Sequence, residues 1–209
     1  MRLSFEVKES DLLGRIGRLS IGKRTIETPY LFPVIHPVYQ AIGLDEIEQM
    51  GFHGVMTNSY ILRKRRREEA IEHGLHKLLG FDGMIMTDSG GYQVLEYGDL
   101  DASYDEVADF QSRMGSDLAV TLDRPTGYSK SRTYATSTME ESLRGALATI
   151  RDFGDSETVW VGPVQGGLFG DLLKRSAGEM VAAGFQMLAL GSPVQVMQNY
   201  RYEELVRML

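Results

Sequence analysis

Met84-Ile85-Met86-Thr87-Asp88-Ser89-Gly90-Gly91-Tyr92-Gln93 is the stretch on which the reading of this chain turns. A continuous apolar run delivers a carboxylate, a Ser-Gly-Gly turn then exposes backbone N–H groups, and an aromatic residue follows. Continuous rather than alternating apolar residues are the pattern of a parallel strand buried on both faces. The glycines let backbone approach a ligand closely. Spacing alone leaves two readings of Asp88 open: a carboxylate capping its own Asx-type loop, or a catalytic acid.

Outward from that stretch the same grammar recurs. Short apolar runs at 31–35, 55–58, 84–87, 118–122, 158–164 and 187–190 read as strands, with helical patterns between them. Ser103 with Glu106 forms a capping box ahead of Val107, Phe110 and Met114, and Gly115 follows as a stop. Thr138 with Glu141 offers a similar box, inside a longer helix or at its start, ahead of Leu143, Leu147 and Ile150. Leu173, Ala177, Met180 and Val181 make another apolar stripe, closed by Gly184, and a helix from Leu44 to Met50 ends at Gly51. Residues 1–30, with Gly14, Gly17 and Gly22 between short apolar pieces, read as a β-hairpin cap.

Strands alternating with helices predict a parallel α/β fold. His36, Asn58, Asp88, Asp123, Gln165 and Gly191 or Ser192 each fall where a strand ends and its loop begins. In a (β/α)8 TIM barrel those ends converge on one mouth; in an open sheet they spread along an edge. The expectation is therefore an incomplete barrel of about six βα units over 31–209. A whole barrel usually takes about 250 residues and eight strands. The sequence is thus expected to be part of something larger: a truncated product, a split subunit, or a barrel completed by a partner chain or a second copy.

Bulk properties narrow the partners. The 209 residues are 43% hydrophobic and 24% charged, with net charge −7 and no cysteine. No run approaches a membrane span, and the start lacks the apolar stretch of a signal peptide, so a cytoplasmic protein is expected. The negative charge is the wrong sign for broad nucleic-acid binding through many phosphate contacts; RNA would have to be met through a local site or another domain. One basic cluster, Arg63-Lys64-Arg65-Arg66-Arg67, followed by Glu68-Glu69 and by Ile71, Leu75, Leu78 and Leu79 at helical spacing, reads as the solvated face of a helix or as a phosphate-facing patch. Without cysteine there is no disulfide, thiolate nucleophile or cysteine-ligated zinc.

Three further segments carry chemistry-bearing residues at strand ends. They are Thr121-Leu122-Asp123-Arg124-Pro125-Thr126, Val161-Gly162-Pro163-Val164-Gln165-Gly166-Gly167 and Leu188-Ala189-Leu190-Gly191-Ser192-Pro193. Each alone is more often structural than functional, as an Asp–Arg neighbour pair in the first and a tight βα turn in the second.

Taken together, these segments resemble the tRNA-guanine transglycosylases. The run from Phe81 to Gln93 is similar to that family's signature. The likeness extends through Gly14-Arg15-Ile16-Gly17, Thr28-Pro29, Phe32-Pro33-Val34-Ile35-His36-Pro37, Thr57-Asn58-Ser59-Tyr60, Pro163-Val164-Gln165-Gly166 and Met197-Gln198-Asn199-Tyr200-Arg201-Tyr202. The pattern looks like the archaeal branch, which exchanges guanine in the tRNA D-loop for the 7-deazaguanine base preQ0 in archaeosine biosynthesis. By this resemblance Asp88 is the catalytic carboxylate, acting as acid/base or as nucleophile. Ser89, Gly90, Asp123, Gln165, Gly166 and Gly191 match base-binding positions, and Tyr92 matches the aromatic that stacks on the purine. The implied partners are tRNA and a guanine or preQ0 base. The family's second catalytic aspartate and its zinc site of three Cys and one His lie beyond the matched region, so no cofactor or metal is expected in this chain. Arg124, Gly127 and Pro193 depart from the archaeal pattern. Two other functions fit a similar sequence: the transglycosylase-like part of archaeosine synthase, and a non-catalytic tRNA-binding or assembly subunit. The first tends to lose the aspartates present here.

Overall fold

A computed structural model describes residues 3–91, 102–128 and 131–208. Two compact units are built from them. The first takes Met1–Asp88, Asp109–Ala119 and Asp155–Val159; the second takes Ser89–Ala108, Val120–Gly154 and Trp160–Leu209.

The amino-terminal part of the first unit is a three-stranded antiparallel meander: β1 (Leu3–Asp11), β2 (Gly14–Ile21) and β3 (Arg24–Thr28). The expected hairpin is present and is extended by one strand. In β2, Leu19 and Ile21 turn inward at the two-residue period while Arg18 stays exposed. Arg24 ties the meander down: its Nε donates to the Asp82 carbonyl at 2.8 Å, and its Nη1 meets Asp117 Oδ1 at 3.0 Å. Asp82 and Asp117 precede the strands β5 (Met84–Asp88) and β6 (Leu118–Val120). The meander is therefore anchored beneath the amino-terminal ends of these strands.

The second sheet is parallel, in the order β4 (Gly54–Asn58), β5, β6, β7 (Val159–Val164), β8 (Met187–Leu190). Strands follow chain order without reversal. That is the winding of a (β/α)8 barrel; a doubly wound sheet turns back on itself. A parallel bridge from Val34 to Met56 adds a sixth position beside β4, as the count of about six βα units requires. The expected strand at 31–35 is reduced to this bridge. Pro33 has no N–H, so only its carbonyl serves the ladder, accepting from Met56 N at 2.9 Å; Ile35 N returns one bond to the Met56 carbonyl.

Helices follow the predicted pattern, beginning with α1 (Leu44–Gln49), with two corrections. The apolar positions Ile71, Leu75, Leu78 and Leu79 do not lie on one helix. They fall on α3 (Arg67–His73) and α4 (Leu75–Leu79), after α2 (Ser59–Arg65), and the chain breaks at Gly74 with φ 77°. Their burial is as expected: they pack with Ile35, Val55, Ile85, Phe110 and Met114. The capping box of α5 (Tyr104–Arg113) forms in both directions, Ser103 N to Glu106 at 2.8 Å and Glu106 N to Ser103 Oγ at 3.3 Å. Thr138 is no cap. It lies within α6 (Arg132–Phe153), whose cap is Ser131, and its hydroxyl is buried. In the second unit, α7 (Gly170–Ala182), α8 (Pro193–Gln198) and α9 (Tyr202–Met208) cover β7 and β8 through Val164, Leu173, Val196 and Met208. Among the described residues no helix is long and apolar enough to cross a membrane.

Candidate functional site

Parallel pairing sets a polar pair in the first unit. Asn58 and Asp88 are register partners at the carboxyl ends of β4 and β5. Asn58 Oδ1 accepts from the Ile61 N–H at 3.0 Å and so caps α2. A backbone N–H can only donate, so this bond fixes which end of the amide faces which way. Asn58 Nδ2 is left to donate to Asp88 Oδ2, at 3.0 Å. The carboxylate is thus held by a donor whose orientation a helix cap determines. His36, the polar residue at the end of the preceding strand position, is exposed and serves its own turn: its Nδ1 accepts from Val38 N at 3.2 Å and Tyr39 N at 3.0 Å.

The second unit gathers Asp123, Gln165 and Gly191 around one hydrogen-bonded core. Gln165, at the end of β7, is 1% exposed. Its Oε1 accepts from Thr126 N at 3.2 Å and from Ser192 Oγ at 3.1 Å. Its Nε2 donates one N–H to Asp123 Oδ2 at 2.5 Å and carries a second. The Gln165 backbone N–H donates to Ser176 Oγ on α7 at 3.2 Å.

Two glycines press on this pair. A Cβ on Gly191 would overlap the Gln165 amide, and one on Gly91 would overlap the Asp123 carboxylate. Gly191 offers no N–H of its own, since that group donates to the Val164 carbonyl at 2.8 Å; it contributes the absence of a side chain. A Cβ on Gly166, next to Gln165, would crowd Leu172 and Leu173 at the start of α7.

The loop after β6 is fastened to α6. Ser142 Oγ accepts from Arg124 N at 2.9 Å, and Thr138 Oγ1 lies 2.8 Å from Thr126 Oγ1. Residues 138 and 142 share a helix face, so one face of α6 holds the segment that follows Asp123. Ser89, the residue after Asp88, is 1% exposed, and its hydroxyl makes no hydrogen bond among the described residues; the same is true of Thr121, two positions before Asp123. Gly90, with φ 93°, occupies the turn between Ser89 and Gly91. Tyr92 lies outside the described residues.

Thr126, Ser142 and Ser192 are partners of Gln165 or Arg124 that no spacing in the sequence marks. The basic cluster is partly committed within the first unit. Arg66 pairs with Glu69 at 2.8 Å and reaches the Pro37 carbonyl, and Arg67 lies over the Phe110 ring at 5.7 Å. The zinc that the sequence resemblance implies does not fit the residues here: the chain has no cysteine, and no three His, Asp or Glu side chains converge among the described residues.

Known proteins resemble this chain along nearly its whole length. The profile of the queuine tRNA-ribosyltransferase family matches residues 10–209. The tRNA-guanine(15) transglycosylase of Aeropyrum pernix is 46% identical over 97% of this chain and 40% of its own length. Those of Nanoarchaeum equitans and Methanopyrus kandleri are 39% and 38% identical over the whole chain, covering 50% and 46% of their own lengths. The chain thus spans half or less of these relatives.

Proposed function

The chain belongs to the queuine tRNA-ribosyltransferase family, and from that premise we propose that it forms the base-binding portion of a tRNA-guanine transglycosylase. In this reading it exchanges guanine in tRNA, at position 15 as in its relatives' name, for a 7-deazaguanine such as preQ0. The observation that carries the proposal is the bonded pair of Gln165 and Asp123 with its amide fixed in one direction.

Guanine and preQ0 present an O6 acceptor beside N1–H and N2–H donors. The second N–H of Gln165 meets O6, and the Asp123 carboxylate accepts from the neighbouring N–H groups. Ser89 and Gly90 supply hydroxyl and backbone donors at the turn, Gly166 and Gly191 keep the floor clear, and Tyr92 stacks on the ring. A base within folded tRNA must be extruded to reach such a site, and stacking offsets part of that cost.

Exchange with retained configuration requires two displacements at the ribose C1′. A carboxylate attacks C1′, the bond to guanine N9 breaks, and the departing base is neutralised by a proton. N9 of the incoming base, losing its proton, then displaces the carboxylate. Two carboxyl groups share these tasks, one as nucleophile and one in proton transfer. Asp88, oriented by Asn58, is one of them; the family pattern places the other beyond the residues matched here. The division into a cap over 1–30 and βα units over 31–209, and a cytoplasmic location, belong to the same reading.

The test is incorporation of labelled guanine into tRNA by this chain, alone and with a polypeptide supplying the remaining length of its relatives. Exchange is expected only in the combined reaction and is lost in Asp88→Ala. Combined material that binds tRNA but exchanges no base would overturn the proposal.

A further inference from the structure

We propose that Ser192 is a positioning residue that makes the site selective for a keto group, by preventing the Gln165 amide from turning over. This deepens the base-binding reading and rests on it.

The first observation is backbone conformation. Ser192 has φ 62° and ψ 21°, in the left-handed region. Glycine adopts that region freely, whereas a side chain there is held at a cost. Serine persists where glycine suits the backbone better, so the hydroxyl has a use. The second observation is what that hydroxyl does. Ser192 Oγ accepts from the Gly127 N–H at 3.0 Å and lies 3.1 Å from Gln165 Oε1. Its lone pair is engaged by Gly127, so its own O–H is directed at Gln165 Oε1.

The direction of the amide follows. Oε1 faces two donors, the Thr126 N–H and the Ser192 O–H. Turning the amide over would set NH2 against both and would point its carbonyl at the Asp123 carboxylate, acceptor against acceptor. With Ser192 in place the group next to Asp123 is a donor and cannot become an acceptor. A ligand atom there must accept a hydrogen bond, and a keto oxygen does so better than the larger, less polar sulfur of a thione. Without the hydroxyl, Oε1 keeps one donor, and the amide can rotate away from its working direction.

Ser192→Gly removes the hydroxyl and relieves the backbone, so this variant is expected to fold as well as the parent or better. Affinities for guanine and for 6-thioguanine are measured by calorimetry on the parent and variant chains, with thermal midpoints alongside. The two bases share the N1–H and N2–H groups that meet Asp123 and differ only at position 6. The expected result is a midpoint at or above the parent's, guanine bound roughly five- to tenfold more weakly, and 6-thioguanine changed less than about twofold. Guanine affinity kept by the variant overturns the proposal alone, as do equal losses for both bases with a lowered midpoint, which would mark Ser192 as merely structural. A parent chain that binds neither base overturns the base-site reading and this proposal together.

Discussion

Asn58 donates to Asp88 across neighbouring strands at 3.0 Å while its carbonyl caps the helix that follows. One amide therefore serves stability through one end and carboxylate orientation through the other. Asn58→Asp separates the two. Aspartate caps helices as well as asparagine does, so the thermal midpoint should change little. It places a second carboxylate beside Asp88, where repulsion raises proton affinity and turns the side chain away. Base exchange by the combined enzyme should fall roughly a hundredfold, as for a misplaced catalytic group. Exchange at the parental rate would show that Asp88 needs no donor from Asn58.

Gln165→Glu tests the donor role without changing size. The new carboxyl would stand against Asp123, and two carboxylates so close share one proton. Guanine affinity should be weak at neutral pH and recover in part as pH falls and the pair takes up a proton to donate. Isothermal titrations across this range check it; a pH-independent loss would argue against the paired arrangement.

Gly91→Ala and Gly191→Ala place a methyl group into the Asp123 carboxylate and the Gln165 amide respectively. Each should weaken guanine binding about tenfold or more while circular dichroism stays parental. Retained affinity in either variant would mean that the pair can shift without consequence.

The anchor beneath the strands makes a stability prediction. Asp117 accepts from Ile85 N at 2.8 Å, pairs with Arg24 at 3.0 Å and lies 3.0 Å from His76 Nε2. Asp117→Ala strands the Ile85 N–H and leaves Arg24 only its bond to the Asp82 carbonyl, and should cost about 2–4 kcal/mol in urea unfolding. A loss below half of that would show that water replaces the carboxylate at this site.

Tyr104 gives an alkaline signature. Burial, with the nearby Glu141 carboxylate and a 3.2 Å hydrogen bond to it, pushes its hydroxyl up to about 12. An unfolded tyrosine releases its proton near 10, so between these values the folded state holds the extra proton and stability falls as pH rises. Tyr104→Phe should lose less stability than the parent over that range. Parallel curves in denaturant titrations would rule the effect out.

Much of the fold was legible in the sequence because its signals are local. Five apolar runs became strands within two residues of their expected ends, and the Ser103–Glu106 box capped its helix as written. Where local signals misled, a longer-range term prevailed. Thr138 with Glu141 had the chemistry of a cap, but Thr138 is spent inside α6 against Thr126. The run at 31–35 had the hydrophobicity of a strand, but Pro33 cannot donate to a ladder.

By itself the sequence determined the strand-helix alternation, the family, and the identity of Asp88, Asp123 and Gln165 as residues at strand ends. Periodicity and caps act over a few residues, and motif order survives in the linear text. Only the tertiary structure decided which atoms those residues turn toward one another. The amide direction of Gln165 depends on a backbone N–H 39 positions earlier and a hydroxyl 27 positions later, and the carboxylate toward which Asn58 donates depends on how β4 pairs with β5. Such directions arise from hydrogen bonds closed between distant segments, and no local spacing encodes them.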